Sequence, residues 1–161
     1  MAYWLFKSEP ESYSFADLQA EPDGSTGWDG VRNYQARNLL RDTIKLGDRL
    51  FFYHSNADPP AIVGIAKVVK AGHPEPSALD PSHHYFDEKS DPANPTWYQV
   101  LIQAVSEVKP PITLAELRAI PELAGMELLR KGSRLSVQPV TAGEWKVITG
   151  LAKSSSRKKR D

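Results

Sequence analysis

Three segments between Arg49 and Val108 leave this chain little choice of secondary structure. Arg49–Ser55 carries Leu50, Phe51, Phe52 and Tyr53 in succession, and Ala61–Lys70 adds Ile62, Val63, Ile65, Ala66, Val68 and Val69. In Trp97–Val108 the residues alternate, with Trp97, Gln99, Leu101, Gln103 and Val105 on one face. β-Branched and aromatic residues at this density suit a pleated, half-buried surface. Only a short break around Asp58-Pro59-Pro60 separates the first two segments, so they read as antiparallel neighbours. Tyr3–Ser8 predicts a buried first strand bounded by Pro10, and Arg134–Gln138 a last one ending at Pro139. The pattern lacks alternating β-α-β units. It predicts an α+β chain, a small mixed barrel of five or six strands interrupted by short helices.

The helices announce themselves by their caps. Ser14 with Asp17, Thr113 with Glu116 and Thr141 with Glu144 have capping-box spacing, opening helices through Leu18, near 113–119 and to about Thr149. Asn33 is placed to cap a helix running to about Arg41, and Glu122–Leu129 suggests a further short turn. Residues 22–30 read as a glycine-rich loop. Residues 71–96 hold five prolines and little periodicity, as expected of a functional lid or a mobile insert.

The charge balance limits the partners. The chain is formally neutral, but residues 153–161 carry five Lys or Arg against Asp161. That leaves 15 basic and 19 acidic residues over 1–152, a net of −4. Such a body is a poor general binder of long duplexes, since phosphate neutralisation needs dense positive charge. Any nucleic acid is therefore expected to be gripped locally, at one or a few nucleotides. The 153–161 segment reads as a disordered basic tail. No apolar run reaches the roughly 20 residues that span a bilayer, and the start lacks a basic leader, so no membrane partner and a cytoplasmic location are expected. With no cysteine, and with His83 and His84 adjacent, not helically spaced, neither a metal site nor a cofactor is expected.

One stretch is denser in recognition chemistry than the rest. Trp28-Asp29-Gly30-Val31-Arg32-Asn33-Tyr34-Gln35-Ala36-Arg37-Asn38 packs aromatic faces, two guanidinium groups and side-chain amides behind Gly24 and Gly27. Aromatic faces stack on nucleobases, amides read donor and acceptor edges, and arginine holds phosphate or lies over a ring. Trp28 sits in a loop away from any apolar period and is read as the stacking wall of a base pocket. On that reading Trp28→Ala weakens binding and spares the fold. Trp4 and Trp145 are read as core. Trp97 either covers the pocket mouth or fills the barrel.

Lys7-Ser8-Glu9-Pro10, Trp28-Asp29-Gly30-Val31-Arg32-Asn33, and Gly47-Asp48 leading to Phe52-Tyr53-His54-Ser55 resemble the EVE domain. Asp91-Pro92 with Pro95 and Trp97, Arg134-Leu135-Ser136-Val137, and Glu144-Trp145 fit the same pattern, over roughly residues 3–150. The resemblance implies a PUA-like pseudo-barrel over 1–152, related to YTH domains, with a pocket for a modified cytosine or adenine in DNA or RNA. Beside it, the residues themselves nominate Ser8 and Lys7 as rim groups for a base edge and a phosphate, with Glu9 next to them. Arg32 and Asn33 stand at a helix start that favours anions. Tyr53, His54 and Ser55 end a strand beside a Pro-Pro break, and Arg134 and Ser136 share a strand face that serves either the barrel edge or the ligand.

No catalytic residue is assigned. Two other readings compete with a non-catalytic base reader. One is a small hydrolase of modified nucleosides or nucleotides, pairing Lys7 with Glu9 and assisted by Tyr53 or Ser55. The other is a protein-interaction module whose pocket is filled by side chains or closed by the 71–96 segment.

Overall fold

Period-two alternation divides the chain's large apolar residues between two cores. In the computed structural model, β1 (Tyr3–Ser8) sends Trp4 and Phe6 into one cluster and Leu5 into another. The strand β3 (Arg49–His54) repeats the division, with Leu50 and Phe52 on the first side and Phe51 and Tyr53 on the second. The structure describes residues 1–160, with side chains through Lys153. The disordered basic tail expected over 153–161 falls almost wholly on positions whose side chains lie outside that description.

One mixed sheet of six strands runs in the order β2-β5-β4-β3-β1-β6. Its remaining members are β2 (Ser25–Gly27), β4 (Ala61–Pro74), β5 (Tyr98–Thr113) and β6 (Val137–Val140). All pairings are antiparallel except β1 with β3, which are parallel from Tyr3↔Arg49 to Ser8↔His54. A parallel pair needs a long crossover. Here that crossover is residues 9–48, which include α1 (Phe15–Ala20), β2 and α2 (Tyr34–Asn38). β4 and β5 are 14 and 16 residues long, and their register shifts at four places. Each shift adds local twist and bends the strand, so the sheet curls into the open pseudo-barrel that the strand pattern suggested.

All three capping boxes form. Ser14 and Asp17 open α1, Thr113 and Glu116 open α3 (Leu114–Arg118), and Thr141 and Glu144 open α4 (Ala142–Arg160). Several boundaries differ from expectation: β4 runs past Lys70 to Pro74, β5 runs past Val108 to Thr113, and β6 begins only at Val137, so Arg134 and Ser136 precede it and share no strand face. The short β2 lies within the loop predicted for 22–30, held by its pairing to β5 and not by any propensity of Ser-Thr-Gly. β6 includes Pro139, which is tolerated because β6 is an edge strand with no partner on its far side. α2 passes into a π-turn over Leu39–Thr43 in place of continuing as an α-helix to Arg41. Among the described residues no helix is long and apolar enough to cross a membrane.

Candidate functional site

The glycine-rich loop is shaped by close approaches. At Gly27 a Cβ would lie 2.6 Å from Gln99 Nε2, so any larger residue there must push that side chain off its bond to His73. The Trp28 amide then donates to the Val100 carbonyl at 2.8 Å, fixing where the indole emerges. The indole packs on Phe6 (centroids 5.3 Å apart), edge-on to Phe52 (5.4 Å) and to Tyr13 (6.4 Å). It is only 8% exposed and belongs to the first core cluster, yet it borders an open cavity. The expectation that Trp28 stands free of the core is corrected: its back is core and it still bounds the cavity. Tyr13, at the same cavity, has its phenol pushed up to about 12 by burial and by its hydrogen bond to Glu21.

Gly30 follows with φ of 79°, and a Cβ there would overlap the Tyr85 ring. Its amide donates to Glu75 Oε2 at 3.1 Å. Glu75 is fully buried, and its carboxylate also accepts from Ser77 Oγ at 2.7 Å and from both terminal nitrogens of Arg32, at 3.0 and 2.7 Å. Arg32 Nη2 further donates to the Tyr85 carbonyl at 2.6 Å. The guanidinium lies 4.9 Å from the Trp97 ring centre and 5.4 Å from that of Tyr85. Beyond it, Tyr85 lies tilted against His84 (4.0 Å) and stacks with His83 (5.5 Å), and Trp97 stacks on Tyr34 (5.2 Å). Arg32 is thereby the pin that clamps the Trp28 loop to the 75–85 segment.

The cavity enclosed between these parts has a volume of about 570 Å³, inside the range of about 300–1,000 Å³ usual for small-molecule sites. Trp28, Gly30 and Val31 form one side, and His83, His84 and Tyr85 another. Lys7, Ser8 and Glu9 at the end of β1 border it together with Ser136, whose carbonyl accepts from the Lys7 amide at 2.8 Å. Ser8 Oγ donates to the Tyr13 carbonyl at 2.6 Å, which leaves its lone pairs to accept. Asp29 and Lys7 border the same space, and the side chain of neither is hydrogen-bonded or ion-paired among the described residues. Burial pushes the Lys7 ammonium below its ordinary value, against a smaller opposing pull from Glu127. The lining therefore includes one residue with an unengaged acceptor, one with an unengaged donor, and an indole.

Of the residues nominated from sequence, Lys7, Ser8, Glu9, Trp28, Arg32 and Ser136 are brought together here. Arg32 arrives with its terminal nitrogens already engaged by Glu75, so its work is to hold the wall. Six nominated residues lie outside the cavity lining. Tyr53 is one residue out of phase with Phe52 and is buried in the second core cluster. Asn33 Oδ1 caps α2 by accepting from the Ala36 amide at 2.9 Å. Ser55 extends the β1–β3 pairing through its amide to the Ser8 carbonyl. Trp97 is buried under Arg32, its indole N–H donating to Asp87 at 2.7 Å, so it supports the wall and does not cover the mouth. Arg134 is exposed, two residues short of Ser136.

His54 is the sixth. Its Nε2 accepts from the Phe15 amide at 3.1 Å, anchoring the start of α1, and burial lowers its pKa from the usual 6.5. The bond requires the neutral ring. Below about pH 6.5 the unfolded chain takes up a proton that the fold resists, so stability must fall as pH drops from there toward the lowered native value. Urea midpoints measured from neutral to mildly acidic pH are expected to decline, and His54→Gln to flatten that decline; an unchanged slope in the variant would remove His54 as the cause.

Sequence reasoning passed over Asp29, Thr26, Tyr13 and the His83-His84-Tyr85 run as cavity groups. His83 and His84 border the cavity, and among the described residues no group of metal-binding side chains is present. The signal available was four successive rings, His83 to Phe86, inside a proline-rich insert.

Comparison with known proteins places the whole chain. It is 41% identical to thymocyte nuclear protein 1 of Homo sapiens, over 93% of this chain and 73% of that protein. A crystal structure of a Pseudomonas syringae protein superposes with a TM-score of 0.87 at 48% identity, covering 94% of this chain and 99% of that one. The crystal structure of human THYN1 in complex with 5-methylcytosine-containing DNA also superposes with a TM-score of 0.87, at 39% identity, covering 94% of this chain and 98% of that one. Residues 2–151 match the family model of the EVE domain, and the chain belongs to the EVE domain family.

Proposed function

We propose that this EVE-domain protein is a non-catalytic reader of a modified nucleobase, with a modified cytosine in DNA as its ligand. The observation that carries the reading is the cavity beside Trp28, lined by Asp29 and Lys7, whose side chains make no hydrogen bond or ion pair among the described residues. Human THYN1, similar over nearly the full chain, has been crystallised with 5-methylcytosine-containing DNA. Seated against the indole, a cytosine presents its exocyclic amine as donor and its ring carbonyl as acceptor. Asp29 and the free lone pairs of Ser8 Oγ suit the first, and Lys7 the second. The His83–Tyr85 rings close the other side.

The energies are of the right order. Extruding a base from a duplex costs a few kcal/mol, and stacking on an aromatic side chain returns about 1–3 kcal/mol per base. A buried methyl group adds about 0.8 kcal/mol, which corresponds to about fourfold preference for the methylated base. A hydrogen bond to a charged group such as Asp29 contributes about 1.5–3 kcal/mol.

Fluorescence anisotropy with a labelled duplex carrying one 5-methylcytosine, set against its unmodified twin, tests this directly. At least about fourfold tighter binding of the methylated duplex is expected, and Asp29→Ala should cost about tenfold or more on it. Equal affinity for the two duplexes would sink the reading.

A further inference from the structure

The cavity takes one base, but a base in a strand brings its flanking phosphates, and the net negative body must meet them somewhere. The turn after the short helical segment Glu127–Leu129 leads along the chain to Ser136, which borders the cavity. It is held in shape by Ser133 Oγ donating to Glu127 Oε1 at 2.9 Å, by the Ser133 amide donating to the Arg130 carbonyl at 3.3 Å, and by Gly132 at φ of 80°. Arg130 pairs with Glu127 at 3.6 Å, which accounts for that cation. Lys131 and Arg134 are exposed, and neither makes a hydrogen bond or ion pair among the described residues.

Two observations tie this turn to the cavity. Arg134 lies two residues before the cavity-bordering Ser136, at most about 7 Å along an extended chain. Glu127, which braces the turn, also acts electrostatically on Lys7 inside the cavity. Two unengaged cations thus lie on an ordered turn whose chain runs directly into the cavity lining.

We propose that the Arg130–Arg134 turn is a phosphate grip, in which Lys131 and Arg134 hold the sugar–phosphate backbone flanking the seated base. The proposal rests on the base-reader function above. The grip adds affinity without reading sequence or modification, because phosphate contacts fix position and carry no base information. It also answers how a domain with net charge −4 over residues 1–152 attracts a polyanion: charge is concentrated locally.

The test is the salt dependence of binding to the same two duplexes, between about 50 and 200 mM salt, for the full chain and a Lys131→Gln, Arg134→Gln double variant. Each lost phosphate contact on duplex DNA reduces the slope of log affinity against log salt by about 0.9, so a reduction of about 1.8 is expected. The methylated-to-unmodified affinity ratio should stay as in the parent chain. Arg118→Gln with Lys146→Gln removes the same charge from exposed positions on α3 and α4, away from the cavity lining, and is expected to leave the slope near the parent value. An unaltered slope in the rim variant, or an equal loss in the control, overturns the grip. Loss of the methyl preference in the parent chain itself refutes base reading instead, so the two failures are distinguishable.

Discussion

Arg32→Ala is expected to lower the free energy of unfolding by about 3–5 kcal/mol, the range for removing one partner of a buried ion pair. The reason is asymmetry in burial. Glu75 is completely inaccessible, so losing the guanidinium strands a carboxylate that has no route to water. The Arg32 side chain is 28% exposed, so in Glu75→Ala the guanidinium can turn outward, and the loss is confined to the Gly30 and Ser77 donors left without an acceptor. Arg32→Ala is therefore the more damaging single change, by urea denaturation monitored in the far-ultraviolet. Lysine is expected to restore only part of the loss, because a single ammonium cannot reproduce the two-pronged contact or the stacking over Trp97. Equal midpoints for Arg32→Ala and the parent would show that the clamp carries no stability. Binding should suffer as well, since Arg32 holds the Tyr85 carbonyl and with it the ring wall.

Trp28→Ala is expected to act on both stability and recognition. Truncating a buried tryptophan costs about 3–5 kcal/mol, and the contacts to Phe6, Phe52 and Tyr13 place Trp28 in that class. The sequence pattern suggested that the fold would be spared, because it could not show that one side of the indole is packed. Loss of stacking removes a further 1–3 kcal/mol of binding, about 5- to 150-fold in affinity for methylated DNA. Trp28→Phe keeps an aromatic face at lower cost in stability and is expected to retain most of the binding. Measurements belong at a temperature where circular dichroism shows each variant folded. Methylated-duplex affinity within twofold of the parent in folded Trp28→Ala would reduce the indole to a core residue.

The gap between reading and structure has the same origin in each case. Strand type and helix starts are local matters. The runs at Arg49–Ser55 and Ala61–Lys70, and the spacings Ser14/Asp17, Thr113/Glu116 and Thr141/Glu144, commit the backbone within a few residues. The face on which a strand-end residue falls is less secure. Tyr53 was nominated with its neighbours, but the alternation that sends Phe52 into one core sends Tyr53 into the other. A parity argument from Phe52 would have reached this had the cavity's side of the sheet been known.

Partners distant in sequence were out of reach. Glu75 looks like one more acid in a proline-rich insert until the fold carries it 43 residues back to Arg32. His83, His84 and Tyr85 become a cavity wall only because the Tyr85 ring fits over the bare Gly30 backbone. What the sequence determined by itself was every strand but the short β2, and the helix caps, because propensity and periodicity act over one or two turns. Tertiary structure alone decided which polar groups were engaged and which were left open, since burial and hydrogen-bond pairing depend on neighbours that only chain crossing supplies.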